Sequence, residues 1–153
     1  MEMTLIHIFD YVEKSERSAE LLYRFFARRF AENGPLAITF SKLADQEKAH
    51  CDIIRFQTRI IRKTDEQFKK IDFDISAVSQ ILEEMSKAMG NDQITLEEAR
   101  SLSERLEHSI VERYRLLIRP ELGKEMQDLI SGIIDDDNAH IRLIEQLSEE
   151  QSS

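Results

Sequence analysis

Asp45-Gln46-Glu47-Lys48-Ala49-His50 and Asp135-Asp136-Asp137-Asn138-Ala139-His140 decide how this chain is read. In each stretch a carboxylate is followed three residues later by a histidine. Both lie inside longer segments whose apolar residues recur at alternating steps of three and four, which is one face of an α-helix. Extending the steps outward from the first stretch gives Leu36, Phe40, Leu43, Glu47, His50, Ile54, Gln57 and Ile61. The second stretch gives Met126, Ile130, Ile133, Asp137, His140, Ile144 and Leu147. Two further stripes have the same character: Leu5, Phe9, Val12, Glu16, Ala19, Tyr23, Phe26, Phe30, and Leu96, Ala99, Ser103, Glu107, Ile110, Tyr114, Leu117. Every stripe is mainly apolar and is interrupted near its middle by a carboxylate.

The two halves repeat. Glu16 precedes Tyr23 by 7 positions, as Glu107 precedes Tyr114, and Glu16 to Glu47 is 31 positions against 30 for Glu107 to Asp137. Two helical hairpins related by a pseudo-twofold axis follow. The breakers place the helices. A first helix is expected from about Thr4 to Glu32, closed by Asn33-Gly34 as a C-terminal cap. Pro35 then opens a second helix that runs to about Thr64. Residues 65–94 form a connection with a short helix, Ile75 to Met89, capped by Asp74 or Ser76 and stopped by Gly90-Asn91. Thr95-Leu96-Glu97-Glu98 reads as a capping box opening a third long helix that ends at Arg119-Pro120. The fourth is expected from about Glu121 to Glu149, with Gln151-Ser152-Ser153 frayed. Helices of this size are about 36–44 Å long at ~1.5 Å per residue. The tight turns make antiparallel pairs, and the long middle connection is able to cross a bundle. The expected fold is all-α: a four-helix bundle with one long crossover between helices two and three, carrying a short extra helix, in a single domain over residues 1–153.

Composition agrees. There are 153 residues, with 4 Gly and 2 Pro and neither between Pro35 and Gly90, so sandwiches, barrels and Gly-rich nucleotide-binding folds are excluded. A chain of this size needs no disulfides to fold, and its single cysteine, Cys51, offers neither an internal disulfide nor a Cys-x-x-Cys metal site. Net charge is −9 with pI near 5.0, which argues against nucleic acid or an anionic membrane as partner and leaves room for cations. The opening residues, MEMTLIHIFDYVEKSER, lack a basic region followed by an apolar run, and no stretch of 18 apolar residues occurs. A cytoplasmic protein is expected.

Four inward carboxylates are the feature that needs a cause. Each buried carboxylate without compensation costs several kcal/mol, and no stripe position carries an Arg or Lys to balance it. Two divalent metals would supply four positive charges. Carboxylate oxygens plus one neutral imidazole per metal suit iron or manganese. Helical bundles that hold two irons take one Glu from each of two helices and a Glu-x-x-His from each of the other two. The expected ligands are therefore Glu16, Glu47, His50, Glu107, Asp137 and His140. His7, His108, Glu112, Asp135 and Asp136 fall off the central layer, Glu20 is most simply a solvated charge, and Cys51 is a buried spectator.

With Glu16…Tyr23, Glu47-Lys48-Ala49-His50, Glu107…Tyr114 and Asp137-Asn138-Ala139-His140 in place, the chain resembles the rubrerythrin family of the ferritin-like superfamily. The resemblance covers nearly the whole chain apart from the crossover. It implies two iron ions (or manganese) in a non-haem centre that reacts with hydrogen peroxide or dioxygen, an oxidoreductase role in oxidative stress, and a homodimer. It gives Tyr23 and Tyr114 places beside the centre as hydrogen-bonding or packing residues, and makes Glu104, one turn before Glu107, a further candidate ligand. Asp137 departs from the family's usual Glu by one methylene. The cysteines for the family's rubredoxin-like iron domain are absent, so electrons must come from an external donor protein or small reductant. Iron oxidation with storage or transport, and a metal-poor helical interaction module, stand as alternative readings.

Overall fold

The residues up to Met89 form one compact unit and those from Gly90 a second. The structure, a computed structural model, describes residues 2–120 and 122–152, without the side chains of residues 77 and 148–152. In the first unit α1 (Leu5–Arg29) and α2 (Gly34–Ile61) make an antiparallel hairpin. Its turn is built differently from the expectation. Asn33 does not close α1 but caps α2, its Oδ1 accepting from the Leu36 N–H at 3.3 Å. The carbonyls at the end of α1 are taken by the N–H groups of Phe30, Ala31 and Asn33, so α1 stops three residues earlier than Glu32. Gly34 is the first residue of α2, and no described residue has positive φ. Pro35 follows in the first turn, where its missing N–H leaves no bond unmade.

Aromatic rings close this end of the hairpin. Phe40 lies 5.2 Å from Phe26, 6.1 Å from Phe30 and 6.2 Å from Tyr23, ring centre to ring centre, in tilted and stacked arrangements that add to the burial itself. At the other end a two-stranded antiparallel sheet joins β1 (Glu2–Thr4) to β2 (Lys70–Asp72), with Met3 opposite Ile71. Thr4 is therefore a strand residue and N-cap rather than helical, and the Leu5 N–H, one of the orphan donors of α1, finds the Lys69 carbonyl at 2.8 Å. A 3-10 turn at Asp65–Phe68 links α2 to β2. The connection then turns at Asp74, which accepts from the Ser76 N–H and hydroxyl, and α3 (Ser76–Met89) packs on α1.

The second unit is the hairpin of α4 (Leu96–Leu117) and α5 (Lys124–Ser152). The capping box is present: the Glu98 N–H donates to Thr95 Oγ1, and the Thr95 N–H to Glu98 Oε1, both at 3.1 Å. α4 ends at Leu117, two residues before Arg119, because the residue preceding a proline is driven out of the helical region and Ile118 is already extended. Glu121 lies outside the described residues. The first turn of α5 starts beyond it, with the Gln127 N–H on the Gly123 carbonyl, and the Gln127 side chain ties the Arg119 and Leu122 carbonyls at 2.8 Å each. α5 includes Gln151 and Ser152, which were expected to fray; Ser153 is outside the described residues. No helix among the described residues is long and apolar enough to cross a membrane.

The capping box has a pH signature. Hydrogen bonds from the backbone and then the side chain of Thr95 hold the Glu98 carboxyl below its ordinary value of 4.5. A group lowered in the folded state contributes stability that is complete above its unfolded value and is lost as pH falls through the folded one. Thr95→Ala should cost about 1 kcal/mol. The stability difference between wild type and Glu98→Gln in urea unfolding should hold steady from neutral pH towards 4.5 and shrink on further acidification. A difference that grows in acid would contradict the cap.

Candidate metal centre

Each hairpin presents the same trio. In the first, Glu16 of α1 and Glu47 and His50 of α2 are 0, 0 and 2% exposed. The Glu-x-x-His spacing brings Glu47 and His50 onto one face of α2, and α1 supplies Glu16 from the opposite side of the pair. The His50 Nδ1 lies 3.7 Å from Glu16 Oε2 and 3.7 Å from Glu47 Oε2. In the second hairpin Glu107 of α4 and Asp137 and His140 of α5 are 0, 0 and 1% exposed. The His140 Nδ1 lies 3.4 Å from Glu107 Oε1 and 3.5 Å from Asp137 Oδ1. In both hairpins one nitrogen, Nδ1, faces both carboxylates.

These separations bear on what the trios hold. Two donors bound to one first-row ion at about 2.0–2.2 Å stand about 3.0–3.5 Å apart. The imidazole–carboxylate distances fall near that edge length and lie past the usual N–H···O contact of about 2.9 Å. Hard carboxylate oxygens with one imidazole nitrogen are the donor set of divalent iron or manganese. The residues present therefore fit a metal. The shorter Asp137 reaches its histidine as closely as Glu47 reaches its own.

The other sequence candidates separate from the trios. Tyr23 and Tyr114 are buried, 7 residues beyond Glu16 and Glu107 on the same helices, about two turns along the same face. Glu104 is half-buried and bound by Arg100 of its own helix at 2.9 Å, so its carboxylate is already engaged. Glu20 is held by Arg24 at 2.9 Å, and Arg24 also reaches Asp45 of α2. His7, His108, Glu112, Asp135 and Asp136 are exposed, which leaves Asp137 the buried member of the acidic run.

One flank of the first hairpin was not anticipated. Asp10 pairs with Arg62 at 3.2 Å, Glu13 with Arg55 at 2.8 Å and Arg24 with Asp45 at 3.2 Å, all in one antiparallel register. Such part-exposed pairs are individually worth little, but together they fix how α1 slides on α2 and so the level at which Glu16 meets His50. Cys51 lies under this flank, 3% exposed, with an Arg55 N–H on its sulfur at 3.8 Å. Burial raises the thiol's pKa, against the partial opposing effect of Arg55. A thiol kept protonated is a poor ligand and nucleophile, in accord with a spectator role. The buried hydroxyls of Ser15, Thr58 and Ser103 each donate to the carbonyl four residues back on their own helix.

Comparison with known proteins supplies the context. The family model described as Rubrerythrin matches residues 10–148. A crystal structure from Thermotoga maritima, described as a candidate ferritin-like diiron-carboxylate protein, aligns with a TM-score of 0.80 over 98% of this chain and 97% of that chain, at 23% sequence identity. That likeness establishes the fold as the all-α, ferritin-like four-helix bundle with one crossover. No curated protein matches the sequence.

Neutral replacements test whether the buried carboxylates exist for a cation. In metal-free protein Glu47→Gln removes a buried charge while keeping the shape. It should raise the unfolding free energy by about 1 kcal/mol or more, while shrinking the rise in melting temperature that added iron produces. A lower metal-free stability with an unchanged iron response would contradict the role.

Proposed function

The chain belongs to the rubrerythrin family, and from that premise we propose that it is a non-haem di-iron carboxylate oxidoreductase that reduces hydrogen peroxide. The observation carrying this reading is the pair of equivalent trios, each with two buried carboxylates and one histidine. Six donors with four negative charges match two divalent cations in charge, and each trio includes one imidazole. Two ferrous ions, when bound, supply one electron each, so that hydrogen peroxide and two protons give two waters.

The protein's own residues do the rest. Glu16, Glu47, Glu107 and Asp137 neutralise the ions, and their oxygens suit both the ferrous and the ferric state. His50 and His140 act as neutral donors, which keeps the charge of the site balanced. Tyr23 and Tyr114 lend buried phenols that order the surroundings through packing and hydrogen bonding. The buried, protonated Cys51 is not a reductant in turnover, and with one cysteine the chain has no thiolate cluster of its own. An external electron-donor protein or small reductant would re-reduce the ions.

Elemental analysis after anaerobic loading should find two irons per chain, with manganese as the competing metal to be measured alongside. The reduced protein should consume one peroxide per pair of irons, faster than it consumes dioxygen. Removing even an outer partner of a metal ligand typically costs about 10–100-fold in affinity or activity, so Glu16→Ala and His140→Ala should each cost more than that. Tyr23→Phe and Tyr114→Phe should keep both irons. Fewer than one metal per chain would sink the di-iron reading. Full loading with dioxygen consumed in preference to peroxide would replace peroxide reduction with iron oxidation.

A further inference from the structure

The charges of this chain are unevenly placed. Residues 1–89 hold 14 Lys and Arg against 15 Asp and Glu, while residues 90–153 hold 7 against 15. Glu16 and Glu47 of the first unit are buried, which leaves its surface close to neutral beside a strongly acidic second unit. Within the first unit cations gather on the exposed face of α1. Lys14, Arg17, Leu21, Arg24 and Arg28 follow one another at steps of three, four, three and four, a single stripe of a helix. Lys14, Arg17, Leu21 and Arg28 are exposed, Leu21 by 47%.

The acids beside this stripe are already answered. Asp10 pairs with Arg62, Glu13 with Arg55, and Glu20 and Asp45 both with Arg24. Lys14, Arg17 and Arg28 have no acidic partner among the described residues, so they stand as uncompensated positive charge on a chain of net charge −9. Solvation alone would account for scattered cations. Here they surround an exposed leucine: Arg17 lies one turn before Leu21, Arg24 and Arg28 lie after it, and half-buried Phe25 is one turn on. An apolar centre inside a charged rim is the anatomy of a protein contact, and arginine is enriched there. From Lys14 to Arg28 is about 21 Å at ~1.5 Å per residue, room for a small, transient interface. A rim of cations selects an acidic partner, and its field speeds the encounter.

The stripe also runs past the level of the first trio. Arg17 follows Glu16 directly, so what separates the stripe from that carboxylate is α1 itself, a cylinder about 10–12 Å across with its side chains. We propose that this face of α1 is where an acidic electron-donor protein docks, one helix thickness from the first trio. The proposal rests on the di-iron reading for its purpose: each encounter oxidises the donor by one electron, and two encounters return a ferric pair to the ferrous state. The docking itself needs no metal.

Two small acidic one-electron carriers, a flavodoxin and a plant-type ferredoxin, serve as probes. By titration calorimetry the metal-free full chain should bind at least one of them, and raising ionic strength from about 20 to about 500 mM should weaken binding by about tenfold or more. Lys14→Glu, Arg17→Glu and Arg28→Glu should each weaken it a few-fold and together by about tenfold or more, with helicity by circular dichroism unchanged. Lys124→Glu alters net charge equally but lies off the stripe, and should leave affinity within about twofold. In the iron-loaded chain the three stripe variants should slow oxidation of the reduced carrier, while reduction of the ions by dithionite keeps its wild-type rate. Failure of both carriers to bind the wild type, equal weakening by Lys124→Glu, or binding of single-stranded DNA in their place would overturn the docking surface. Binding that depends on the stripe in a chain that takes up no iron would keep the surface and remove the di-iron reading.

Discussion

Burying a carboxylate in an apolar interior is the constraint around which this molecule is organised. Glu16, Glu47, Glu107 and Asp137 are all at 0% exposure, at positions where a helix of this amphipathic kind would otherwise carry leucine or isoleucine. Desolvation of four such groups exceeds the stability of an ordinary domain unless opposite charge offsets it. The imidazoles of His50 and His140 stand near enough to share a cation with the carboxylates, and among the described residues no lysine or arginine is buried to serve instead. A divalent ion held by these groups would couple metal binding to folding: the sites that cost the bare protein stability are the ones it would turn into a gain.

Much of this was legible in the sequence because helical periodicity reports burial directly. All six candidate ligands fall on the predicted stripes, and all six are buried. The same logic weakens towards helix ends. Phe30, Leu96, Met126 and Gln57 lie on their stripes but are only half-buried, and beside Gln57 it is Thr58 that enters the core. Alternating steps of three and four average 3.5 residues, while a straight helix turns every 3.6, so a stripe drawn that way drifts off the core over its length.

Other features were hidden for different reasons. Strands of three residues are too short to show alternation, and nothing in Glu2–Thr4 or Lys70–Asp72 marks them as partners. Asn33 suits a helix end and a helix start equally, and which helix uses it is decided by how the Phe30 and Asn33 amides close α1. The flank joining Asp10, Glu13 and Arg24 of α1 to Arg62, Arg55 and Asp45 of α2 needs the register of the hairpin before it becomes visible. The Arg100–Glu104 pair of α4 was legible too, since a basic residue at the i−4 position is where such intrahelical pairs form.

The lone thiol has a practical corollary. Cys51 follows His50 directly and is sealed beneath Arg55 and the backbone of Glu13. Alkylating reagents reach its sulfur only when α1 and α2 part company, so the rate of labelling clocks the opening of that hairpin with no added probe. An ion that clamps the neighbouring imidazole would slow the clock, and the chain thus carries its own reporter of how firmly the first hairpin is held shut.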